Sequence, residues 1–504
     1  MKLGLCRKIA TMAFCLLLMA ASPFAQTKES NDPAPQNSTS ENPETENVEE
    51  EDSFKWSNLW KWPLDYIIQP VLNVLIYPIA TPIDYAVKNG VIERSVDLIT
   101  FGERKNIFIY PSFNLKPGAS TELGVVYRHR SVFLDRDYLV LQGEFFANGD
   151  LAFDTRYTKQ SILGTPLFAG VRYSINWNRD KHFIVPETKA SYLQPDSSFS
   201  ITWRLGAPLS DNRNWNAEIW TTQNFIKADV PDIEDSLLFS KKFSIEDRGL
   251  YQDHMEFPIG ASIIYDDLDY PYAPSRGSRV SFSGSYNIVS KYDGVSVKEL
   301  GDEAKDYYDE DIINGSKRKH DYIRTEFLLQ HYFLLGSSPN YILSATEARQ
   351  NRKFYTDFSW DEAIRVWRPE NMMQTLFERR VIALQYRLID LWEMEKGGAP
   401  FNAFPTLNAR TPLRGYGDTW ASHHIMSLSA EYRWPVDRFV DGVVFDEYAL
   451  IADKIDKWSF DHYYNSWGFG IRVRQPNMFL CRVQLGFHGL HGVNMIITIA
   501  PEFR

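Results

Sequence analysis

Apolar and polar residues alternate along many short segments of this chain. The stretch from Thr411 to Pro435 shows the pattern clearly, because nine of its residues divide into two faces. The apolar face carries Met426, Leu428, Ala430, Tyr432 and Trp434, and the polar face carries Ser427, Ser429, Glu431 and Arg433. A period of two indicates a β-strand with one apolar side. Similar segments follow one another from Asn106 almost to the last residue.

The repeated alternation predicts about sixteen strands. Ten begin near residues 107, 121, 138, 151, 166, 198, 214, 256, 279 and 321, and five occupy 423–435, 442–452, 464–475, 478–488 and 493–503. Two further candidates are 341–350 and 381–391. If the strands close into a single-chain bacterial barrel, as argued below, an even number is expected, so we take 381–391 as the eleventh strand. Residues 341–380 then form an insertion that partly extends a neighbouring strand.

The polar faces distinguish between two classes of β-protein. A soluble β-sandwich can also alternate, since it buries one face and leaves the other in water. A sandwich of about 400 residues would need several domains, and the sequence shows no boundary between them. Aromatic-rich segments with arginine on their polar faces instead favour one closed antiparallel barrel, with lipid outside and water inside. We therefore predict an all-β membrane protein with a single barrel over residues 106–504.

Composition narrows the picture further. The formal net charge of -11 gives no indication of nucleic-acid binding. After the N-terminus there is no uninterrupted apolar run of about 18 residues, so a helical membrane protein is not expected. Cys6 and Cys15 lie within the first 25 residues, which leaves Cys481 as a small apolar residue on a strand.

The N-terminus has the features of a secretory signal. Lys2, Arg7 and Lys8 precede an apolar run at 12–21, and small residues follow, so we predict a signal peptide over residues 1–25. Residues 26–53 are polar and acidic, with almost nothing to bury. They are predicted to be a disordered linker.

Residues 54–105 have a different pattern. Apolar residues fall at helical spacing between Leu64 and Ile79, and four prolines prevent a long helix. Trp56, Trp60 and Trp62 stand before the apolar stripe. We expect two or three short amphipathic helices that precede the barrel. They lie either at the membrane interface or as a cap packed on the barrel end.

Candidate catalytic groups do not form a recognisable set. The histidines His423, His424, His488 and His491 have no serine or aspartate at a spacing that suggests a nucleophile and its base. No metal-ligand cluster or phosphate-binding glycine loop stands out either. The sequence therefore predicts neither an enzyme nor a bound cofactor or metal, and the histidines are expected in loops or on the lumen wall.

Four short motifs occur in order along the chain. The segment Leu413-Arg414-Gly415-Tyr416 is turn-like, and five predicted strands follow it. The other three motifs are Tyr265–Asp269 with Pro274 and Arg276-Gly277, the stretch Val443–Asp446, and Gly468-x-Gly470-x-Arg472. Together the motifs resemble the bacterial surface antigen family of BamA/TamA-type outer-membrane barrels, and the turn-like segment is similar to that family's conserved loop. The resemblance covers roughly residues 106–504.

The resemblance implies that the Arg414 loop folds back into the lumen. There its guanidinium would meet Glu431 and Asp446 on the twelfth and thirteenth strands. The residues permit this, because both carboxylates fall on polar faces and guanidinium groups bind carboxylates through forked hydrogen bonds. Glu447 competes with Asp446, but the alternation puts it on the lipid side unless a bulge intervenes. The alternative is that Arg414 is an ordinary exposed loop residue.

The family also implies a function. It predicts a protein of the bacterial outer membrane that assists insertion or passage of protein or lipid, with unfolded outer-membrane or secreted proteins as partners beside the lipid. Residues 54–105 are too short for the family's periplasmic POTRA domains, which leaves recognition of such clients open. The alternative is a passive pore or structural barrel. The oligomeric state is open.

Overall fold

The structure is a computed structural model. It describes residues 100–102, 106–115, 121–134, 137–147, 149–185, 190–210, 214–228, 253–269, 274–290, 319–335, 380–395, 398–407, 413–416, 420–437, 440–452, 454, 458, 463–475, 478–489 and 492–499, together with 63, 67, 68, 71, 72 and 74. The signal peptide, the acidic linker and the insertion at 341–380, apart from residue 380, lie outside these residues.

The described chain contains nineteen strands, of which three are only two residues long. The other sixteen form the wall: β1 Ile107–Leu115, β2 Glu122–Arg130, β3 Asp137–Phe146, β4 Leu151–Lys159, β5 Phe168–Val185, β6 Ala190–Pro208, β7 Trp215–Ala228, β8 His254–Asp266, β9 Gly277–Ser290, β10 Tyr322–Leu334, β11 Val381–Glu393, β12 His424–Asp437, β13 Val440–Ala452, β14 Tyr464–Gln475, β15 Met478–His488 and β16 Gly492–Ile499. The predicted count and the placement of the eleventh strand agree with this list.

Each wall strand pairs antiparallel with the next, and β16 returns to pair with β1. At that closing pair, which we call the seam, Ile497, Thr498 and Ile499 lie opposite Leu115, Asn114 and Phe113. The predicted fold class, a single antiparallel barrel of about sixteen strands, is confirmed. We call the end where β1 begins and β16 ends the turn end, and the opposite end the loop end.

The polarity of the wall is the reverse of that in a soluble sheet. Outward side chains such as Val125, Ile219 and Phe282 are apolar and more than half exposed. Inward positions carry buried charged groups, among them Glu431 and Glu447. Because exposed apolar residues avoid water, this arrangement is stable when lipid surrounds the barrel.

The hairpin of β5 and β6 is longer than the sequence predicts. β6 begins at Ala190 rather than near 198, because the two strands continue past a register shift between Asn176 and Arg179. Beyond the shift the residues no longer alternate, as expected for a hairpin that has left the lipid. Its Ile184 pairs in parallel with Trp420, in the connection between β11 and β12. This pairing joins the β5–β6 hairpin to the β11–β12 connection at the loop end, although these strands lie far apart around the ring.

Only six residues before position 100 are described. Pro63, Val71, Leu72 and Val74 have α-helical backbone, and Ile67 and Ile68 have π-helical backbone. No helix in the described part of the chain is long and apolar enough to cross a bilayer. The expectation of short helices over 54–105 therefore stays a prediction for most of that segment.

Candidate functional site

The segment Leu413–Tyr416 forms a tight turn in the connection between β11 and β12. The amide of Tyr416 donates to the carbonyl oxygen of Leu413 at 3.1 Å, which closes a four-residue turn. Leu413 is fully buried and packs against Leu407, Ile425 and Ala449. Because Ile425 and Ala449 lie on β12 and β13, this contact holds the turn inside the barrel.

The guanidinium of Arg414 lies between two carboxylates. Its Nε donates to Glu447 Oε1 at 2.6 Å, and its Nη1 donates to Glu431 Oε2 at 2.8 Å. The Arg414 backbone amide donates to the second oxygen of Glu447 at 2.7 Å, and Nη1 also reaches Gln484 Oε1 at 3.2 Å. The guanidinium stacks on the ring of Phe445, 3.6 Å from its centroid. These contacts fix the guanidinium on three strands, β12, β13 and β15.

Arg414 remains charged in this environment. Burial alone would lower the pKa of its guanidinium, but the carboxylates of Glu447 and Glu431 more than offset that effect and raise the pKa above its usual range. Its side chain is 8% exposed. The cost of burying a charge is therefore balanced only because both carboxylates stay beside it.

Glu431 is the centre of a larger inward network. Besides Arg414, it accepts a hydrogen bond from Arg433 Nε, and Arg472 Nη1 lies 3.5 Å from its Oε1. Arg433 also donates to the carbonyl oxygen of Pro274 at 3.3 Å. Pro274 belongs to the turn between β8 and β9, so the network connects two parts of the ring that are far apart in sequence. This turn is the second motif on which the family resemblance rests.

The second carboxylate of the network is Glu447 rather than the expected Asp446. Glu447 points inward with Val443, Phe445 and Ala449, so Asp446 points outward, where it accepts a hydrogen bond from Asn465 Nδ2 at 2.8 Å. No bulge is present in this part of β13. The assignment from the sequence fails because the returning loop covers the inward face of β13, and a covered face can be apolar.

Two glycines allow the loop to lie directly on the wall. A side chain at Gly415 would overlap the backbone of Phe487, and one at Gly486 would overlap the backbone of Arg414. Neither substitution fits without moving the loop away from β15. The close approach brings the Gly415 amide to Ser466 Oγ at 2.6 Å and the Gly415 carbonyl to Asn494 Nδ2 at 2.5 Å.

The loop thus contacts all five strands that follow it in the sequence. Sequence reasoning missed four of the residues involved, which are Phe445, Ser466, Gln484 and Asn494. Three of these are polar residues on inward positions of β14, β15 and β16, and that polarity is the signal that could have indicated them. Phe445 lies within the motif Val443–Asp446, but as an apolar residue it gave no such signal.

The histidines of the loop end form their own contacts. His424 Nδ1 lies 2.9 Å from Asp390 Oδ1, and His423 Nε2 lies 3.6 Å from Glu393 Oε1. The ring of His488 packs on Tyr416, with centroids 4.6 Å apart. His491 lies outside the described residues. In the part of the chain that is described, no group of three or more histidine, cysteine, aspartate or glutamate side chains is arranged to hold a metal ion.

Comparison with known families gives one match. Residues 139–365 match the model of the Omp85 superfamily domain. No curated protein matches the chain.

Among solved structures, the chain is similar to BamA from Haemophilus ducreyi lacking POTRA domains 1–3, with 13% identity, a TM-score of 0.48, and coverage of 78% of this chain and 70% of that one. It is also similar to CdiB from Acinetobacter baumannii, with 10% identity, a TM-score of 0.44 and coverage of 78% and 59%. CdiB from Escherichia coli gives 9% identity, a TM-score of 0.45 and coverage of 78% and 62%. The chain thus spans less than two thirds of either CdiB chain.

The family match includes the motif at Tyr265–Gly277, and the other three motifs lie after the matched residues. It confirms the expected resemblance to outer-membrane barrels of this superfamily and the expected location in the bacterial outer membrane.

Proposed function

We propose that this chain, an outer-membrane β-barrel whose residues 139–365 match the Omp85 superfamily domain, assists the insertion of proteins into the outer membrane or their passage across it. In this proposal the barrel supplies a strand edge to which an extended client segment pairs. The client then moves into the lipid around the seam. No covalent bond is made or broken, so insertion is driven by strand pairing and by exclusion of water.

One observation supports the proposal most directly. The edge of β1 that faces the seam, which we call the seam edge, is shared between two partner strands. Near the loop end, Phe113–Leu115 on this edge pair with β16. Near the turn end, Ile107 and Phe108 pair antiparallel with the short strand Thr100–Phe101, which comes from outside the wall. Because the other edge of β1 is already paired with β2, both partners lie at the seam. The edge therefore accommodates a strand other than β16.

The Arg414 loop fixes β16, the strand on the other side of the seam. Asn494 on β16 donates to Gly415, and Gly415 donates to Ser466 on β14. The loop thereby holds β16 to the strands before it. If the seam parts, β16 stays with β12–β15, and the exposed edge of β1 is available to an extended segment by β-augmentation.

A passive pore or structural barrel is the alternative. It would use the same wall without parting the seam. The two differ in one measurable way, since a strand acceptor requires separation of β1 from β16 and a pore does not.

The test is to lock the seam covalently. Asn114 and Thr498 are direct partners across it, so a disulfide between Asn114→Cys and Thr498→Cys would hold β1 to β16. The matched control links Val126→Cys with Gln142→Cys, also direct partners, within the wall between β2 and β3. Both pairs are made on a Cys481→Ser background, since Cys481 is a free thiol.

The readout is the folding rate of an unfolded eight-stranded outer-membrane protein added to vesicles that contain each variant. We expect the unlocked protein and the control-locked protein to accelerate folding, and the seam-locked protein to lose this effect until a reductant is added. Equal acceleration by both locked forms would exclude a role for the seam. No acceleration by any form, with ion conductance that does not depend on the lock, would favour the passive pore.

A further inference from the structure

Several outward-facing residues at the turn end are buried, although their neighbours nearer the loop end are not. Trp434 on β12 and Ile471 on β14 point outward, because Arg433 and Arg472 beside them point inward. They are 0% and 6% exposed. On the same side of the barrel, Phe469 is 42% exposed. Something covers the outer wall of β12–β14 close to the turn end.

The described residue that lies on this patch from outside the wall is Leu72. It packs against the cluster of Trp434, Val440 and Ile471, with outward side chains of β12, β13 and β15 around it. Leu72 has helical backbone and belongs to the same compact unit as the barrel, Leu59–Arg504. Leu72 therefore contacts the outer surface of the wall and not the lumen.

The residues next to Leu72 present a second apolar face. Ile67, Ile68, Val71 and Val74 are 55%, 41%, 44% and 43% exposed. At about 100° per α-helical residue, Val71 and Val74 lie about 60° apart, and Leu72 is about 100° away from Val71. The segment thus has one apolar side against the barrel and another that faces outward.

The sequence supplies the polar side of the same segment. Asp65, Gln69 and Asn73 recur at intervals of four residues, which is the spacing of one stripe on a helix. A segment with this pattern lies flat at the boundary between acyl chains and headgroups.

We propose that the helical residues Ile67, Ile68, Val71, Leu72 and Val74 are embedded in the membrane on the outer wall of β12–β15, with their exposed side chains in the acyl chains of the leaflet at the turn end. The exposed face is continuous with the lipid-facing wall, because Leu72 and the outward side chains of that wall form one cluster. An apolar face in that position is surrounded by acyl chains in a bilayer. This inference does not depend on the proposed handling of client proteins.

This arrangement increases the apolar surface that the protein presents to lipid, on the side formed by the five strands that the Arg414 loop holds together. It also ties the chain before residue 100 to the outside of the barrel.

Spin labels can locate the exposed face. Single-cysteine variants Ile67→Cys and Val71→Cys are made in the full chain on the Cys481→Ser background, labelled with a nitroxide and reconstituted into phosphatidylcholine–phosphatidylglycerol vesicles. Collision with oxygen, which concentrates in the bilayer, is compared with collision with a water-soluble nickel chelate. Met495→Cys on the wall serves as the lipid reference, and Thr165→Cys in an exposed turn at the turn end serves as the water reference.

We expect the labels at positions 67 and 71 to match the Met495 reference, with frequent oxygen collisions and loss of the nickel signal. Nickel collisions like those at Thr165 would place the segment in water and overturn the proposal. Spin–spin broadening that disappears on dilution with unlabelled protein would mean that a second copy covers the face, which also overturns it.

A second variant tests the contact with the wall. Leu72→Asn should release the segment, so the Val71 label becomes mobile while the barrel still folds, as judged by its heat-dependent shift on a gel. Leu123→Asn, an outward position on β2 away from the patch, is the control and should leave the label unchanged. An immobile Val71 label in the Leu72→Asn variant would contradict the proposed position on the wall.

Discussion

Replacing Arg414 with alanine is the sharpest test of the lumen network. The change leaves two buried carboxylates without the guanidinium that lies between them. Glu431 keeps Arg433 and Arg472, but Arg414 is the one cation paired with Glu447 among the described residues, and the Glu447 side chain is 0% exposed. Removing one partner of a buried ion pair costs about 3–5 kcal/mol. The folded-to-unfolded ratio should then fall by about a hundredfold or more.

The network also predicts which second change restores stability. In the Arg414→Ala background, Glu447→Gln removes the stranded charge and should recover a large part of the loss. Glu431→Gln should recover less, because it deprives Arg433 and Arg472 of their shared carboxylate. Partners within one network couple, so the double variants should differ from the sum of the singles. Asp446→Asn is the matched control and should stay within about 0.5 kcal/mol of the parent protein, since Asp446 lies outside the network.

The assay is the urea midpoint of the gel-mobility shift for each variant refolded in detergent. A midpoint for Arg414→Ala equal to that of the parent would refute the buried network and leave the loop as an exposed turn. The same conclusion would follow if Glu447→Gln and Asp446→Asn behaved alike in the Arg414→Ala background. Arg414→Lys should give an intermediate midpoint, because an ammonium group lacks the planar fork that reaches both carboxylates.

Three further predictions concern the wall. The mature chain should fractionate with the outer membrane and shift on gels when heated, and release by high salt without detergent would contradict the barrel. Val171→Arg faces lipid and should cost about 2–4 kcal/mol near the bilayer centre, whereas Arg172→Val, which loses an inward contact with Asp154, should still fold; equal assembly defects would contradict the assignment of faces. Gly486→Ala should displace the Arg414 loop and lower the urea midpoint, while Gly143→Ala, with no atom within 4 Å of the added carbon, should not.

The barrel could be predicted from the sequence because lipid and lumen impose opposite polarity on neighbouring residues. In β5, outward Val171 and Tyr173 alternate with inward Arg172 and Ser174, and each strand of this kind is visible by itself. The prediction stops where that constraint stops. The extension of β6 back to Ala190 lies beyond the register shift, where no lipid requires one apolar face, so the alternation gave no signal.

The site was harder to predict than the wall. The turn at Leu413–Tyr416 and the inward position of Glu431 follow from the motif and the alternation. The neighbouring pair Asp446 and Glu447 cannot be separated by polarity, because both are charged and the residues around them are mixed. Only the buried loop decides, since it makes the inward face of β13 apolar at Val443 and Phe445. Contacts between segments far apart in sequence therefore override the local rule.

The central claim is that the seam edge of β1 receives strands of other proteins. The most direct measurement is photocrosslinking in intact cells from a photoreactive residue at Ile109, on β1. The control places the same residue at Phe153, on β4; the two positions are outward-facing and 40% and 42% exposed. Crosslinks from Ile109 to newly synthesised outer-membrane or secreted proteins, absent from Phe153, are the predicted result. Crosslinks to lipid alone at both positions would contradict the claim.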